Sequence, residues 1–286
     1  MMTRFAGRGT DWARYWRATD RPLEAMYAHF ERHSFHRHSH EAYSFGVTEH
    51  GAQRFACRGA AHTSAAGMVM AFNPDEPHDG HAATELGFTY RIVHIGPELV
   101  TDVLGDASGR PAGSPLFVHP VVHDPVLADA LRALHATLAG RAGRLAQDER
   151  LAAAVAALVR RAALPRVGAW PPRRPVEDPV VARRVRDLLH DRFAEDIGAD
   201  ELAAATGCSR YAVYRAFRAA YGLSPSEYHR QLRLRSARRL IAAGHPPASA
   251  AAEVGFADQA HLTRWFTRHY GITPGAYRRA AGADGV

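Results

Sequence analysis

The C-terminal part of this chain repeats itself, and the repeat constrains its fold more than any other feature. At an offset of 49, Val213 matches Leu262, Arg215 matches Arg264, Phe217 matches Phe266, and Tyr221-Gly222 matches Tyr270-Gly271. Pro225, Tyr228 and Arg230 then match Pro274, Tyr277 and Arg279. The opening glycines Gly207 and Gly255 match at 48, so one residue is gained at the turn. Agreement at bulky apolar, arginine and glycine positions marks one supersecondary unit used twice.

Each unit reads as a short helix, a sharp turn and a second helix. In the first, residues 200–206 lead to Gly207, which suits a helix end where φ turns positive. Ser209 can cap the next helix, from about 210 to 220. Val213 and Phe217, four apart, form its inward face, and Arg210, Tyr211, Tyr214, Arg215 and Arg218 take the other sides. The second unit runs through residues 248–254, Gly255 and the cap Asp258 into a helix ending near 269. Leu262 and Phe266 turn inward, Gln259, Ala260, Thr263 and Arg264 share the opposite surface, and Arg268 follows one turn on. Between the units, Ser224-Pro225-Ser226-Glu227 is a capping box with proline at the first helical position. It predicts a helix over 225–243, about 27 Å long at 1.5 Å per residue. Such a spacer can set two reading helices about one DNA turn apart, roughly 34 Å. Polar side chains on helices of this kind present donors and acceptors to base edges in the major groove.

The charge agrees. Residues 209–279 hold twelve arginines against three acids, while residues 1–175 hold twenty against seventeen. A field concentrated on the repeat points to a polyanionic partner. All 36 basic residues are arginine, which reflects coding bias more than function.

Residues 164–179 hold five prolines in sixteen positions, too many for helix or sheet, and read as a linker. It divides the 286 residues into two domains, 1–163 and 180–286. In the first, the runs 43–47, 53–57, 67–72 and 87–95 read as strands, with turns at 49–51, 58–60 and 73–78; residues 1–31 give no clear pattern. A small antiparallel barrel or sandwich follows. Apolar residues at 127, 131, 134 and 138, then at 151, 155, 158 and 159, predict two trailing helices, which pack on their own domain or pair with a second copy. No apolar run is long enough for a membrane span, and the first residues lack the apolar core of an export signal. Cys57 and Cys208 form no metal or redox spacing, consistent with a cytoplasmic chain.

The repeat, the joining helix and the terminal stretch resemble the AraC/XylS family of transcriptional regulators over residues 180–280. The signature stands here as Arg233-Leu234, Ala237-Arg238, Leu240, Gly255-Phe256, Asp258-Gln259, Leu262, Arg264, Phe266, Gly271, Thr273-Pro274 and Tyr277-Arg278. The resemblance implies base-reading positions at Tyr211, Tyr214 and Arg215, and at Gln259, Ala260, Thr263 and Arg264. Residues 30–95 resemble, more loosely, the cupin barrel that senses ligands ahead of this DNA-binding domain.

Ten of the eighteen histidines lie between positions 29 and 94. Strand alternation would put His36, His38 and His40 on one face, with His78 approaching from a later turn. A polar effector pocket drawn from His38, His40, Glu49, Asp75, Glu76 and His78 is the expectation. Glu41 is too close to the histidine pair and Glu49 too far for an enzymatic cupin site, so neither a catalytic residue, a metal nor a cofactor is assigned. The expected function is a sequence-specific regulator that binds promoter DNA and a small molecule. A homodimer is expected, with RNA polymerase contact if it activates. A cupin oxygenase or isomerase tethered to DNA, and an architectural binder without effector, are the alternatives.

Overall fold

The computed structural model describes residues 3–6, 11–140, 142–163 and 178–281. Linker residues 164–177 lie outside the described residues, but Asp178 accepts the Val181 N–H and Pro179 takes the first helical position, so the helix begins there. The chain divides into two compact units, one β-rich and one helical.

The β-rich unit contains β1 (Thr3–Ala6), β2 (Trp12–Arg17), β3 (Leu23–Phe30), β4 (Phe35–His38), β5 (Tyr43–Cys57), β6 (Ala60–Ala65), β7 (Val69–Phe72), β8 (His78–Ala82) and β9 (Phe88–Ile95). Helix α1 (Pro97–Ser108), β10 (Val121–Val122), α2 (Pro125–Ala139) and α3 (Arg144–Ala162) follow. The main sheet runs β1-β2-β3-β9-β5-β7-β10, all antiparallel. Strand β5 also pairs with β6 and β8, and β8 with β4, so one long strand serves both sheets.

The expected turn at 49–51 is therefore corrected. The chain bends there without reversing: register on β9 shifts between Thr48 and His50, and Gly51 sits at φ 70° with the Gly87 carbonyl packed where a side chain would be. Arg58 and Gly59, both at positive φ, make the tight β5–β6 hairpin that was expected at 58–60.

One face of the main sheet packs on helices. Leu23, Tyr43, Phe45, Val93 and Ile95 meet Leu127, Leu131, Leu134, Leu138, Leu151, Val155 and Leu158 in one core. Each such side chain contributes about 1.5–3 kcal/mol on full burial. The apolar faces of α2 and α3, which were also weighed for pairing with a second copy, are thus consumed within their own unit.

The helical unit contains α4 (Pro179–Asp191), α5 (Ala199–Thr206), α6 (Arg210–Tyr221), α7 (Pro225–Ala242), α8 (Pro247–Glu253), α9 (Gln259–Tyr270) and α10 (Pro274–Ala281). Val181, Val185 and Leu189 of α4 pack with Leu202, Val213 and Phe217. Punctuation follows the repeat: Ser209 and Asp258 cap α6 and α9, and Gly222 and Gly271 end them at φ 72°. Both halves of the capping box form at Ser224 and Glu227. The aromatic packing repeats too. Phe217 meets Tyr221 and Tyr228 at 4.7 and 5.3 Å between ring centres, and Phe266 meets Tyr270 and Tyr277 at 4.6 and 5.7 Å.

Candidate nucleic-acid interface and barrel interior

Burial of Val213, Ala216 and Phe217 turns the opposite side of α6 outward, leaving Arg210, Tyr211, Tyr214 and Arg215 exposed. Tyr211 keeps 71% of its surface in solvent, unusual for a large aromatic. The Arg215 guanidinium lies 5.6 Å from the Tyr211 ring centre, and Arg218 donates to the Tyr214 hydroxyl at 2.7 Å. Arg210 is ion-paired to Asp200 of α5. On α9, burial of Leu262, Phe266 and His269 exposes Gln259, Ala260, Arg264 and Arg268, with Thr263 half-buried.

A concave pocket of about 410 Å³ lies between the two helices. Arg210 and Tyr214 line it from α6, Arg230 and Arg233 from α7, and His261 and Trp265 from α9. Trp265 is half-buried, donates to His261 Nε2 at 3.0 Å and carries Arg230 over its ring at 3.7 Å. Burial pulls the guanidinium pKa values of Arg230 and Arg233 below their usual range, yet both stay cationic at neutral pH. The concave floor between α6 and α9 is therefore positive.

Arg233 also joins the repeats. Its Nε and Nη2 donate to the carbonyls of Phe193 and Glu195, at 2.8 and 2.6 Å, and its Nη1 donates to the Gly255 carbonyl at 2.8 Å. His229 adds a bond to Phe193 O at 2.8 Å. The loop after α4 is thus held to the turn of the second unit. Gly255, at φ 80°, presses so closely on it that a Cβ would lie 2.0 Å from Ala194 O.

In the β-rich unit, the sheet face away from the helices carries the polar residues. His38, His40 and His78 come together there, with ring nitrogens all within 4.8 Å. Their assembly has local causes. The Asp75 N–H donates to the His40 carbonyl at 2.6 Å, docking the β7–β8 turn on the β4–β5 loop, and His38 faces His78 across β4–β8. His36 does not join them. Register shifts between Phe35 and His38, and His36 is exposed. Burial, then the neighbouring His78, pushes His38 well below its ordinary pKa, and burial drops His78 to about 4, so both rings are neutral at pH 7.

Glu49, Asp75 and Glu76 are not part of this cluster. Glu49 accepts from Arg91 at 2.9 Å and from Arg132 at 3.1 Å, tying β5 to β9 and α2. Asp75 is exposed at φ 58°, and Glu76 is buried against Arg58 and Asn73. Register instead supplies residues the sequence reading missed. Arg17 pairs with Glu24, Glu24 with His94, and His94 with Ser44, giving a polar row across four strands. Tyr15 donates to Glu24, and Ser44 Oγ lies 2.8 Å from His94 Nδ1, whose ring centre is 4.8 Å from that of His40. Only the strand order brings these together, so no local motif could have disclosed them.

Residues 22–155 match the model of an AraC-like ligand-binding domain, and residues 202–280 match that of a helix-turn-helix domain. The chain is similar to an HTH-type transcriptional regulator, YbfI of Bacillus subtilis, at 26% identity over 80% of this chain and 81% of the relative. It is 35% identical to the transcriptional activator NphR of a Rhodococcus species over 35% of this chain and 29% of that one. Among solved structures, apo ToxT of Vibrio cholerae covers 92% of this chain, over 99% of its own length, with TM-score 0.57 at 10% identity. ToxT with a bound unsaturated fatty acid covers 97%, over 98% of its own length, with TM-score 0.52 at 10% identity. No helix among the described residues is long and apolar enough to cross a membrane. A ligand-binding domain ahead of a doubled helix-turn-helix unit places this chain in the AraC family of DNA-binding transcription regulators.

Proposed function

We propose that α6 and α9 read base edges in two segments of the major groove of promoter DNA. Arg264 and Gln259 supply the main hydrogen bonds of the second segment, with Ala260 and Thr263 in apolar or hydroxyl contact. Tyr211, Tyr214 and Arg215 read the first, and Arg210 and Arg268 bind phosphates. The observation that carries this is the positive pocket with Arg230 and Trp265 between the two exposed helix faces, because a duplex reached by both helices must pass over it. Residues 180–286 form the DNA-binding domain and residues 1–163 the sensing domain of a cytoplasmic regulator.

The small molecule would occupy the barrel face bearing His38, His40, His78, His94, Ser44, Glu24 and Arg17. Arg17 and the imidazoles suit a polar or acidic effector. The likeness to ToxT, solved with a fatty acid, supports an acid binding inside this fold, while the row of polar side chains favours a smaller and more polar acid. No reaction is assigned to the barrel: Glu49, the acid weighed for an enzymatic centre, is occupied by two arginines. The regulator would act as a homodimer on paired half-sites, touching RNA polymerase where those lie beside a promoter. The pairing surface would be the outer side of α2 and α3, where Val126 and Leu145 are exposed, since their inner faces are spent.

Selection of bound duplexes from random sequence by the full chain tests the reading. It expects an enriched motif with two elements about one helical turn apart, bound less tightly as salt rises. Retention of all duplexes alike would refute it.

A further inference from the structure

The histidine cluster has more order than a polar pocket wall requires. His38 Nδ1 lies 2.6 Å from the His36 carbonyl, and His78 Nδ1 lies 2.8 Å from the Glu76 carbonyl. A carbonyl only accepts, so each ring carries its proton on Nδ1 and keeps its lone pair on Nε2. Second-partner hydrogen bonds of this type fix the tautomer and orientation of metal-binding imidazoles. The His78 ring is further held by Phe72, stacked at 4.0 Å with 4° between planes.

We propose that His38, His40 and His78 bind one divalent first-row transition-metal ion of the zinc class inside the barrel. Spacing and donor chemistry both support this. Zinc–nitrogen bonds of about 2.0–2.1 Å at the tetrahedral angle put two ligand atoms about 3.4 Å apart. His38 Nε2 and His40 Nε2 are 3.2 Å apart, and the His78 nitrogen lies within 4.8 Å of both, so an approach of at most about 1.4 Å completes the set. Three imidazoles without a carboxylate favour zinc, copper, nickel or iron over magnesium or calcium. Three protein ligands leave a fourth position for water or an effector oxygen. The competing arrangement is a plain hydrogen bond from His40 Nε2–H to His38 Nε2, in which no ion is needed.

The experiment strips untagged full-length protein with chelator, then titrates it with Co2+ as a spectroscopic probe and with Zn2+, counting bound metal by elemental analysis. One ion per chain is expected, with the intense visible bands of four-coordinate cobalt. His38→Gln and His40→Gln should each weaken binding at least about 100-fold. His36→Gln, which alters an exposed neighbour, should leave it unchanged. Wild-type protein without stoichiometric metal at micromolar concentration would overturn the proposal, as would wild-type affinity in both His38→Gln and His40→Gln. Should either variant fail to fold, the wild-type cobalt spectrum decides alone: four-coordinate bands support the site, and an octahedral spectrum or none overturns it. Regulation of DNA binding could survive that failure, so the two readings are separable.

Discussion

Replacing Arg233 by alanine should release the second helix-turn-helix unit from the first. The side chain makes three charge-assisted bonds to carbonyls, a class contributing about 1.5–3 kcal/mol each when well sheltered. The three are not equal. The Glu195 bond is exposed, so water replaces it, and Phe193 O keeps its partner His229. The main cost falls on Gly255 O, which loses a charged donor in a partly buried place. The sum is about 2–3 kcal/mol rather than three full bonds. Arg233→Lys is the informative companion, because it keeps the charge but cannot reach three carbonyls from one planar fork. Urea unfolding of the helical unit, followed by circular dichroism, gives the stability, and titration with a selected duplex gives the affinity. Both variants should lose stability, and both should bind a two-element site more weakly while keeping more of their affinity for a single element. A lysine variant equal to wild type in both assays would show that charge alone matters and that Arg233 joins nothing.

Three other perturbations have calculable outcomes. Gly207→Ala and Gly255→Ala change equivalent glycines at φ 70° and 80°, yet open space surrounds the first and Ala194 O abuts the second. The first should cost about 1–2 kcal/mol and the second clearly more, so equal denaturation midpoints would refute the packing argument. His135, on the buried face of α2 beside Arg91, has its pKa lowered to about 4 by burial and then by that arginine. A histidine depressed in the folded state contributes fully above its unfolded pKa of about 6.5 and loses that contribution as pH falls toward 4. About 2 kcal/mol should be gone by pH 5. Thermal scans at pH 7.5 and 5 should show the loss shrinking in His135→Gln; an unchanged loss would place it elsewhere. Glu49→Gln should destabilise the β-rich unit by about 1–3 kcal/mol by leaving Arg91 and Arg132 short of an acceptor charge, while leaving metal or effector binding intact; lost binding with full stability would return Glu49 to the pocket.

The helical unit was legible because its determinants are local. Caps at Ser209, Asp258 and Ser224, glycines at positive φ and apolar residues four apart act within one or two turns, and the repeat let each half check the other. The β-rich unit was harder for the opposite reason. Gly51 reads as a turn from sequence, yet it bends a 15-residue strand whose continuation depends on pairing with β9 and β6. Residues 12–30 gave no clear pattern and form two strands. In the barrel site, His38, His40 and His78 were legible through clustering and the turn at 73–78. Glu49 stands apart from the histidines because its partners lie 42 and 83 residues away, and Arg17, Glu24 and His94 were missed because only strand order aligns them.

The central claim is that α9 reads bases, and Arg264 tests it most directly. Arg264 is exposed one turn on from Ala260, on the side of α9 opposite buried Phe266, and occupies the place that Arg215 holds on α6. Binding of Arg264→Ala should be measured against a panel of single-base variants of the selected site at two salt concentrations. The account predicts a loss of about 1–3 kcal/mol on the wild-type site and relaxed preference at one or two base pairs within the second element, with an unchanged order elsewhere. An even loss across the panel, with the salt slope lowered by about one, would put Arg264 on the phosphate backbone, and an unchanged affinity would take α9 out of the groove.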